Sequence, residues 1–157
     1  MSDQFSEAYT LYKAKKDGSG AASQWNLGSK KDCVFLEMSN QTDKDDKGNP
    51  RFDWKNRIKF KLGHADIGEI LSVLVGMQKG VGPYDKPQGK HKGLYHSNDA
   101  GNSVLYFGTD DNGVFNIYLS VKRGEDRQAI RHTISKGEAC VLSTLLRRAI
   151  EVMFRWH

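Results

Sequence analysis

The clearest hydrophobic pattern in the chain runs from Phe52 to Gly76. Up to Leu62, apolar and polar residues alternate, which is typical of a β-strand with one buried face. Beyond Gly63, apolar residues recur at helical spacing and predict an amphipathic helix that ends near Gly76. A strand therefore passes directly into a helix. The residues that the alternation places in the core are Phe52, Trp54, Ile58, Phe60 and Leu62.

Shorter strands are predicted on both sides of this unit by β-branched and aromatic residues between glycine-rich turns. They cover residues 8–15, 21–27 and 33–38 before it, and residues 94–97, 103–108, 114–123 and 128–134 after it. Asn112-Gly113 marks a hairpin. Ser135 and Glu138 form a capping box that begins a last helix, which runs to about Trp156. Its predicted buried stripe is Leu142, Leu145, Leu146, Ala149, Ile150, Met153 and Phe154.

The second half of the chain repeats the order of the first half. Leu62 matches Ile134 (134 − 62 = 72), and the same offset places Ile58 on Ile130. This internal repeat predicts an α+β fold of two ββββα units in tandem, with two antiparallel four-stranded sheets packed around a helical core. The expected layout is one domain over residues 1–157, with a first unit at 6–77, a basic linker at 78–92 and a second unit at 93–157.

Composition narrows the class of partner. The chain has 157 residues, a formal net charge of +5 and a sequence pI near 9.2. A basic balance favours polyanions, with nucleic acid first and an anionic membrane surface second, and a merely soluble basic protein stays open. No apolar run has the length of a membrane span, and the two cysteines cannot form a disulfide framework. We expect a cytoplasmic protein, nucleoid-associated or viral, with a mature organellar form as the alternative.

Three segments together resemble the Whirly family of single-stranded DNA-binding proteins. They are the Asp53-Trp54 strand that leads into Asp66–Ile70, the hairpin from Asp110 to Val121, and the ending Val152-Met153 with Trp156-His157. The resemblance implies two blade-like sheets, a homotetramer, and binding of single-stranded DNA with little sequence preference. It implies roles in recombination, repair, replication or genome maintenance, and in some members in transcription. A related mitochondrial family with the same fold binds guide RNA.

One departure concerns the first hairpin. Whirly proteins carry a Lys-Gly-Lys-Ala-Ala-Leu segment, which Tyr12–Lys15 begins here and Ala21-Ala22 continues, with Lys16–Gly20 inserted between them. In the family this segment supports assemblies of tetramers, so the insertion leaves such assembly open. The resemblance adds Lys13 and Lys15 to the candidate site residues.

The other candidates follow from the chemistry of single-strand binding, which needs cations along the backbone path and flat rings for unstacked bases. The outward residues Lys55, Arg57, Lys59 and Lys61 form a basic ladder, and Arg131 has the same phase in the second unit. Tyr118 faces outward on its strand, so it is a candidate stacking ring. The predicted nucleic-acid-binding residues are Lys13, Lys15, Trp25, Phe35, Lys55, Arg57, Lys59, Lys61, Phe107, Tyr118, Lys122 and Arg131.

Simpler interpretations exist for these residues. The ladder could be a solvated sheet face, and the rings could be core residues. The Asp43–Gly48 stretch lacks the spacing of a calcium loop, and the Gly80 region lacks a phosphate-loop Lys-Ser/Thr. No catalytic constellation is found, so we expect no enzyme, cofactor or metal. The hypotheses are a single-stranded DNA-binding protein, an RNA-binding or annealing protein of the same fold or a transcription regulator, and a basic scaffold that binds no nucleic acid.

Overall fold

The computed structural model describes residues 7–82, 84–85, 90–91 and 94–156. Its first sheet is antiparallel and has the order β1-β2-β3, with β4 and β5 following one another along the free edge of β3. These five strands are β1 Tyr9–Lys13, β2 Ala21–Leu27, β3 Val34–Lys44, β4 Pro50–Phe52 and β5 Ile58–Leu62. Helix α1, His64–Leu74, follows β5 directly, as the sequence predicts.

The second sheet repeats this plan with the order β12-β11-β10, and the short strands β6 and β9 share the other edge of β10. Helix α2, Lys136–Phe154, follows β12. The remaining strands are β6 Gly80–Val81, β7 Tyr84–Asp85, β8 Lys90–His91, β9 Tyr95–Asn98, β10 Gly101–Thr109, β11 Phe115–Arg123 and β12 Asp126–Ile134. Part of the predicted linker, residues 78–92, lies outside the described residues. The β6 part of it belongs to the second sheet.

The predicted strand from Phe52 to Leu62 is interrupted, which corrects the sequence interpretation. Trp54–Asn56 forms a 3₁₀ turn, and the Asp53 carboxylate caps it by accepting a hydrogen bond from the Asn56 backbone N–H at 3.3 Å. Trp54 is therefore only partly buried and lies in no strand. The alternation holds from Ile58 to Leu62, where buried and exposed residues follow one another.

The two strand-to-helix junctions have the same capping chemistry. The Gly63 N–H donates to Asp66 Oδ2 at 3.1 Å, and the Ser135 N–H donates to Glu138 Oε1 at 2.9 Å. Each carboxylate occupies the third helical position, where it satisfies an orphan amide and the helix dipole favours negative charge. Asp66 also meets His96 Nε2 at 2.9 Å, which ties α1 to β9. These acids therefore fix the start of each helix.

A single cluster of buried side chains joins both sheets and both helices. The repeat partners Ile58 and Ile130, and Ile70 and Leu142, are all buried in it, and α1 packs against α2. The sheets also contact each other directly where β2 meets β12, so the helices are not the only connection between the two units.

The stripe predicted for α2 is only partly correct. Leu142, Leu146 and Ala149 are buried, whereas Leu145 is 46% exposed and Phe154 is 50% exposed. Apolar residues therefore occupy more of the helix than the core of one chain covers.

Candidate nucleic-acid interface

A surface depression lies where the hairpin between β1 and β2 meets the edge and outer face of the second sheet. Its volume is about 790 Å³, and we refer to it as the groove. The hairpin contributes Lys13, Lys15, Ser19, Gly20 and Ala21. The second sheet contributes Val104, Tyr106, Asn116, Ile117, Tyr118, Ser120, Arg127, Arg131, His132 and Thr133.

Two tyrosines and an arginine form a row across the second sheet within the groove. Tyr106 on β10 is the register partner of Tyr118 on β11, which in turn pairs with Arg131 on β12. Directly opposed residues of antiparallel strands carry their side chains on the same face, with Cβ atoms about 5 Å apart. The row therefore places two rings and a guanidinium side by side on the outer face.

A glycine makes room for the Tyr106 ring. A Cβ atom on Gly108 would lie 2.3 Å from Tyr106 Oη and 2.7 Å from its Cζ, so any other residue at position 108 would displace the ring. Gly80, on β6, is the next close neighbour, with 3.1 Å from its ideal Cβ to the same Oη. One side of the ring thus packs on the glycine backbone, and the other side lines the groove.

Arg127 is held at the end of Tyr118. Its Nε donates to Ser120 Oγ at 3.0 Å, and its Nη2 donates to Tyr118 Oη at 3.4 Å. The Arg131 side chain is exposed. A guanidinium can contact phosphate oxygens through paired N–H donors, so these two arginines supply cationic contacts beside the rings.

The two hairpin lysines differ in how free they are to bind a ligand. Lys13 forms an ion pair with Glu138, across the boundary between the two units. Burial raises the pKa of Glu138, but hydrogen bonds from Lys13 and Ser135 outweigh it and hold that pKa below its usual value. The Lys15 side chain is exposed at the rim. Lys15 is therefore the more available of the two cations.

The basic ladder lies on another surface, the outer face of the first sheet. Lys59 and Lys61 are exposed on β5, whereas Lys55 lies in the 3₁₀ turn. The Lys59 ammonium is 4.2 Å from the ring centroid of Phe35, a cation–π contact. Arg57 pairs with Glu37, which is also the register partner of Lys59. The acid reduces the positive charge that the ladder offers.

The prediction that Trp25 and Phe107 stack on bases is wrong, because both side chains lie in the core. Trp25 is 4% exposed and Phe107 is 0% exposed. They occupy equivalent places in the two sheets, since Trp25 pairs with Leu36 and Phe107 with Ile117 on inward-facing positions. The remaining predicted residue, Lys122, is exposed at the end of β11 and does not line the groove.

Sequence reasoning missed Tyr106 and Arg127. Leu105 and Phe107 are an apolar pair two residues apart, and this spacing places Tyr106 between them on the outward face. The prediction of Phe107 as a stacking ring is therefore one residue out of phase. Arg127 had no such signal, because the predicted strand began at Gln128 and left it in the preceding turn.

His132 lies beneath the groove in a buried polar chain that links the sheets. Its Nδ1 donates to the Thr133 carbonyl at 2.8 Å, because a carbonyl can only accept, and its Nε2 accepts from Ser23 Oγ at 2.7 Å. Ser23 Oγ in turn accepts from Trp25 Nε1 at 3.2 Å. Burial lowers the pKa of His132, and Lys13 lowers it further, while the Thr133 carbonyl and Glu138 act in the opposite direction.

This histidine makes the stability of the fold pH-dependent. The unfolded chain takes up a proton on His132 near its ordinary pKa of about 6.5, whereas the folded chain resists it. The stabilisation of the folded state by neutral His132 is therefore fully present above about pH 6.5 and is lost as the pH falls. We expect the free energy of unfolding, measured with urea, to fall less steeply from about pH 7 to 5 in His132→Gln than in the wild type. Equal slopes would contradict the assignment.

Within the described ranges, no helix is long and apolar enough to cross a membrane. In the same part of the chain, no three side chains of the His, Cys, Asp and Glu types are grouped so as to hold a metal ion.

Comparison with solved structures shows what the fold resembles. WHY1 from Arabidopsis thaliana superposes with a TM-score of 0.72 at 19% identity, covering 100% of this chain and 90% of that one. The plant transcriptional regulator PBF-2 gives 0.72 at 19% identity, covering 100% and 86%. A guide-RNA-binding protein complex bound to a gRNA gives 0.68 at 14% identity, covering 94% and 92%.

No protein-family model and no curated protein matches the sequence. Similarity is therefore carried by the three-dimensional arrangement, in which two sheets and two helices follow the same tandem order as in WHY1 and PBF-2. The chain has the Whirly fold, which the guide-RNA-binding proteins share.

Proposed function

We propose that this chain is a non-enzymatic protein that binds single-stranded nucleic acid, with single-stranded DNA as its ligand and little sequence preference. The observation that carries the proposal is the row of Tyr106, Tyr118 and Arg131 in the groove. Rings on a sheet face stack on unpaired bases, and adjacent cations hold the phosphates, which is how sequence-tolerant proteins bind single strands.

The groove favours a single strand over a duplex. In a duplex the faces of the bases are stacked on one another and do not reach a ring on the protein surface. The groove offers tyrosine faces, which every base can use, and cations that contact the backbone of any sequence. Both features favour binding that depends on strandedness more than on sequence.

The fold neighbours support nucleic acid as the ligand class. PBF-2 is described as a transcriptional regulator, and another neighbour is bound to a gRNA. The latter favours the second candidate function, an RNA-binding or annealing protein on the same fold. The first candidate function, single-stranded DNA binding, includes proposed roles in recombination, repair, replication or genome maintenance.

We infer that the chain assembles as a homotetramer through its helices. Val141 and Leu145 lie one turn apart on α2 and are 45% and 46% exposed, and Met77, beyond α1, is 83% exposed. Exposed apolar patches of this kind mark protein–protein contacts. In an assembly, the basic ladder of one copy would continue the binding path of the groove on another copy.

The test is a titration of fluorescently labelled oligonucleotides of one sequence as single-stranded DNA, single-stranded RNA and duplex. We expect the single-stranded DNA to bind at least about tenfold more tightly than the duplex, because only the single strand exposes base faces. Tighter binding of the RNA would favour the second candidate. No binding of any single strand would refute both, and would favour a scaffold that binds no nucleic acid.

The basic ladder gives a separate prediction about the electrostatic part of binding. Lys59→Glu with Lys61→Glu should weaken single-strand binding about tenfold or more. The slope of log affinity against log salt should fall by about 0.7 for each phosphate that the variant no longer neutralises. The matched control is Lys44→Glu with Lys47→Glu, which changes the same charge at exposed positions that belong neither to the groove lining nor to the ladder. Unchanged affinity and salt slope would exclude the ladder from the binding path.

A further inference from the structure

A second cavity lies between the turn that joins β2 to β3 and the last turns of α2. Its volume is about 510 Å³. Four of its lining residues are cations, namely Lys30, Lys31, Arg148 and Arg155. Asp32, Val152 and Met153 complete the lining. We call the four cations the second basic surface, and none of them lines the groove.

The local backbone holds the two lysines on a tight turn. The Gly28 N–H donates to the Cys33 carbonyl at 2.8 Å, and the Lys31 N–H donates to the Gly28 carbonyl at 2.8 Å. Lys31 adopts a left-handed φ of 57°, which completes this turn. Arg155 ends α2 in the same conformation, with φ at 59°. Two short turns therefore bring their cations together across the cavity.

Two acids, Asp32 in the lining and Glu151 beside Arg148, neutralise only part of the charge of these four cations. Arg148 forms an ion pair with Glu151 at 2.9 Å, and both side chains are more than half exposed. In the described part of the chain, the side chains of Lys30, Lys31 and Arg155 have no ion-pair partner, and all three residues are exposed. Like charges gathered at one place repel each other, and a bound polyanion relieves that repulsion.

The second basic surface is far from the groove. Glu138, which bonds Lys13 at the groove, and Val152, which lines the second cavity, are fourteen residues apart on α2 (152 − 138 = 14). At 1.5 Å per residue the separation along the helix is about 21 Å. Strand β2 likewise begins at the groove and ends just before the lysine turn, about 20 Å away. The two surfaces lie at opposite ends of both elements.

The chemistry of the two surfaces also differs. The groove has two tyrosines, whereas no aromatic side chain among the described residues lines the second cavity. Cations without rings contact phosphates and ignore base faces, so they accept single-stranded and double-stranded nucleic acid alike.

We propose that the second basic surface binds the phosphodiester backbone of a second nucleic-acid segment while the groove holds the first. The proposal rests on the proposed function for its first segment. A protein with two such surfaces bridges nucleic-acid segments, and the second segment is a duplex as readily as a single strand.

The test uses the full chain bound to an immobilised single-stranded oligonucleotide and then exposed to a labelled duplex of unrelated sequence. We expect the wild type to recruit the duplex. Lys30→Glu with Lys31→Glu should keep single-strand affinity within about twofold and lose duplex recruitment about tenfold or more. The matched control, Lys44→Glu with Lys47→Glu, should retain both activities.

The outcomes separate this inference from the proposed function. Duplex recruitment by the Lys30/Lys31 variant at the level of the wild type would overturn the inference and leave single-strand binding intact. So would a wild type that is loaded with single strand and recruits no duplex. If the wild type fails to bind the immobilised strand, the proposed function fails. Duplex binding in solution then tests whether the second basic surface binds nucleic acid. That assignment holds only if the Lys30/Lys31 variant binds the duplex more weakly than the control does.

Discussion

Replacing Tyr106 and Tyr118 together with alanine is expected to weaken binding of a single-stranded oligonucleotide by about 30-fold or more. Each ring stacked on a base contributes about 1–3 kcal/mol, and each 1.4 kcal/mol is a factor of about ten in affinity. Both rings belong to one row of the groove, and Gly108 supports the first of them. Equilibrium titration at one fixed salt concentration measures the loss.

Two controls separate stacking from other effects of these substitutions. Tyr106→Phe with Tyr118→Phe keeps the rings and removes only the hydroxyls, so we expect binding to stay within a few-fold of the wild type. Tyr12→Ala removes an exposed tyrosine from the first sheet, outside the groove, and should change affinity little. A double alanine variant that binds as tightly as Tyr12→Ala would exclude the rings from the site.

The second large effect is expected in the core, where the helices meet. Leu142→Ala should lower the free energy of unfolding by about 2–5 kcal/mol, because Leu142 is 0% exposed and its removal leaves a cavity in a packed interior. Leu145→Ala on the same helix is the matched control. Its side chain is 46% exposed in one chain, so we expect a loss below about 1 kcal/mol.

Urea unfolding at two protein concentrations measures both losses. The concentration dependence is needed because Leu145 belongs to the surface proposed for assembly, and dissociation adds a concentration-dependent term to its apparent stability. A loss that is independent of concentration and equal in the two variants would contradict the assignment of Leu142 to the core.

Much of the fold could be predicted from the sequence because its signals are local. The alternation from Ile58 to Leu62, the helical spacing of apolar residues within α1 and within α2, and the capping box of Ser135 and Glu138 each reflect relations within a few residues along the chain. The interruption at Trp54 escaped prediction for a physical reason. Alternation reports which side of a strand a residue faces, and it cannot register that Asp53 caps a turn.

The candidate site was harder to predict because it depends on long-range contacts. Lys13 reaches the second unit through Glu138, which is 125 residues away along the chain. Glu37, on the neighbouring strand β3, reduces the positive charge of the ladder, and the pattern of β5 alone cannot reveal this. Phase errors account for the rest, since the outward position belonged to Tyr106 and the adjacent Phe107 faces the core.

The central claim is that bases lie on the tyrosines of the groove. It is tested most directly by ultraviolet cross-linking of the wild-type protein to a single-stranded oligonucleotide that carries halogenated uracil, followed by mapping of the attached peptide. Trypsin releases Tyr106 and Tyr118 together in one peptide, residues 93–122. We expect the cross-links at Tyr106 and Tyr118 in this peptide, and we expect unlabelled single strand to suppress them more strongly than duplex. Cross-links confined to other peptides, or suppressed equally by duplex, would contradict the claim.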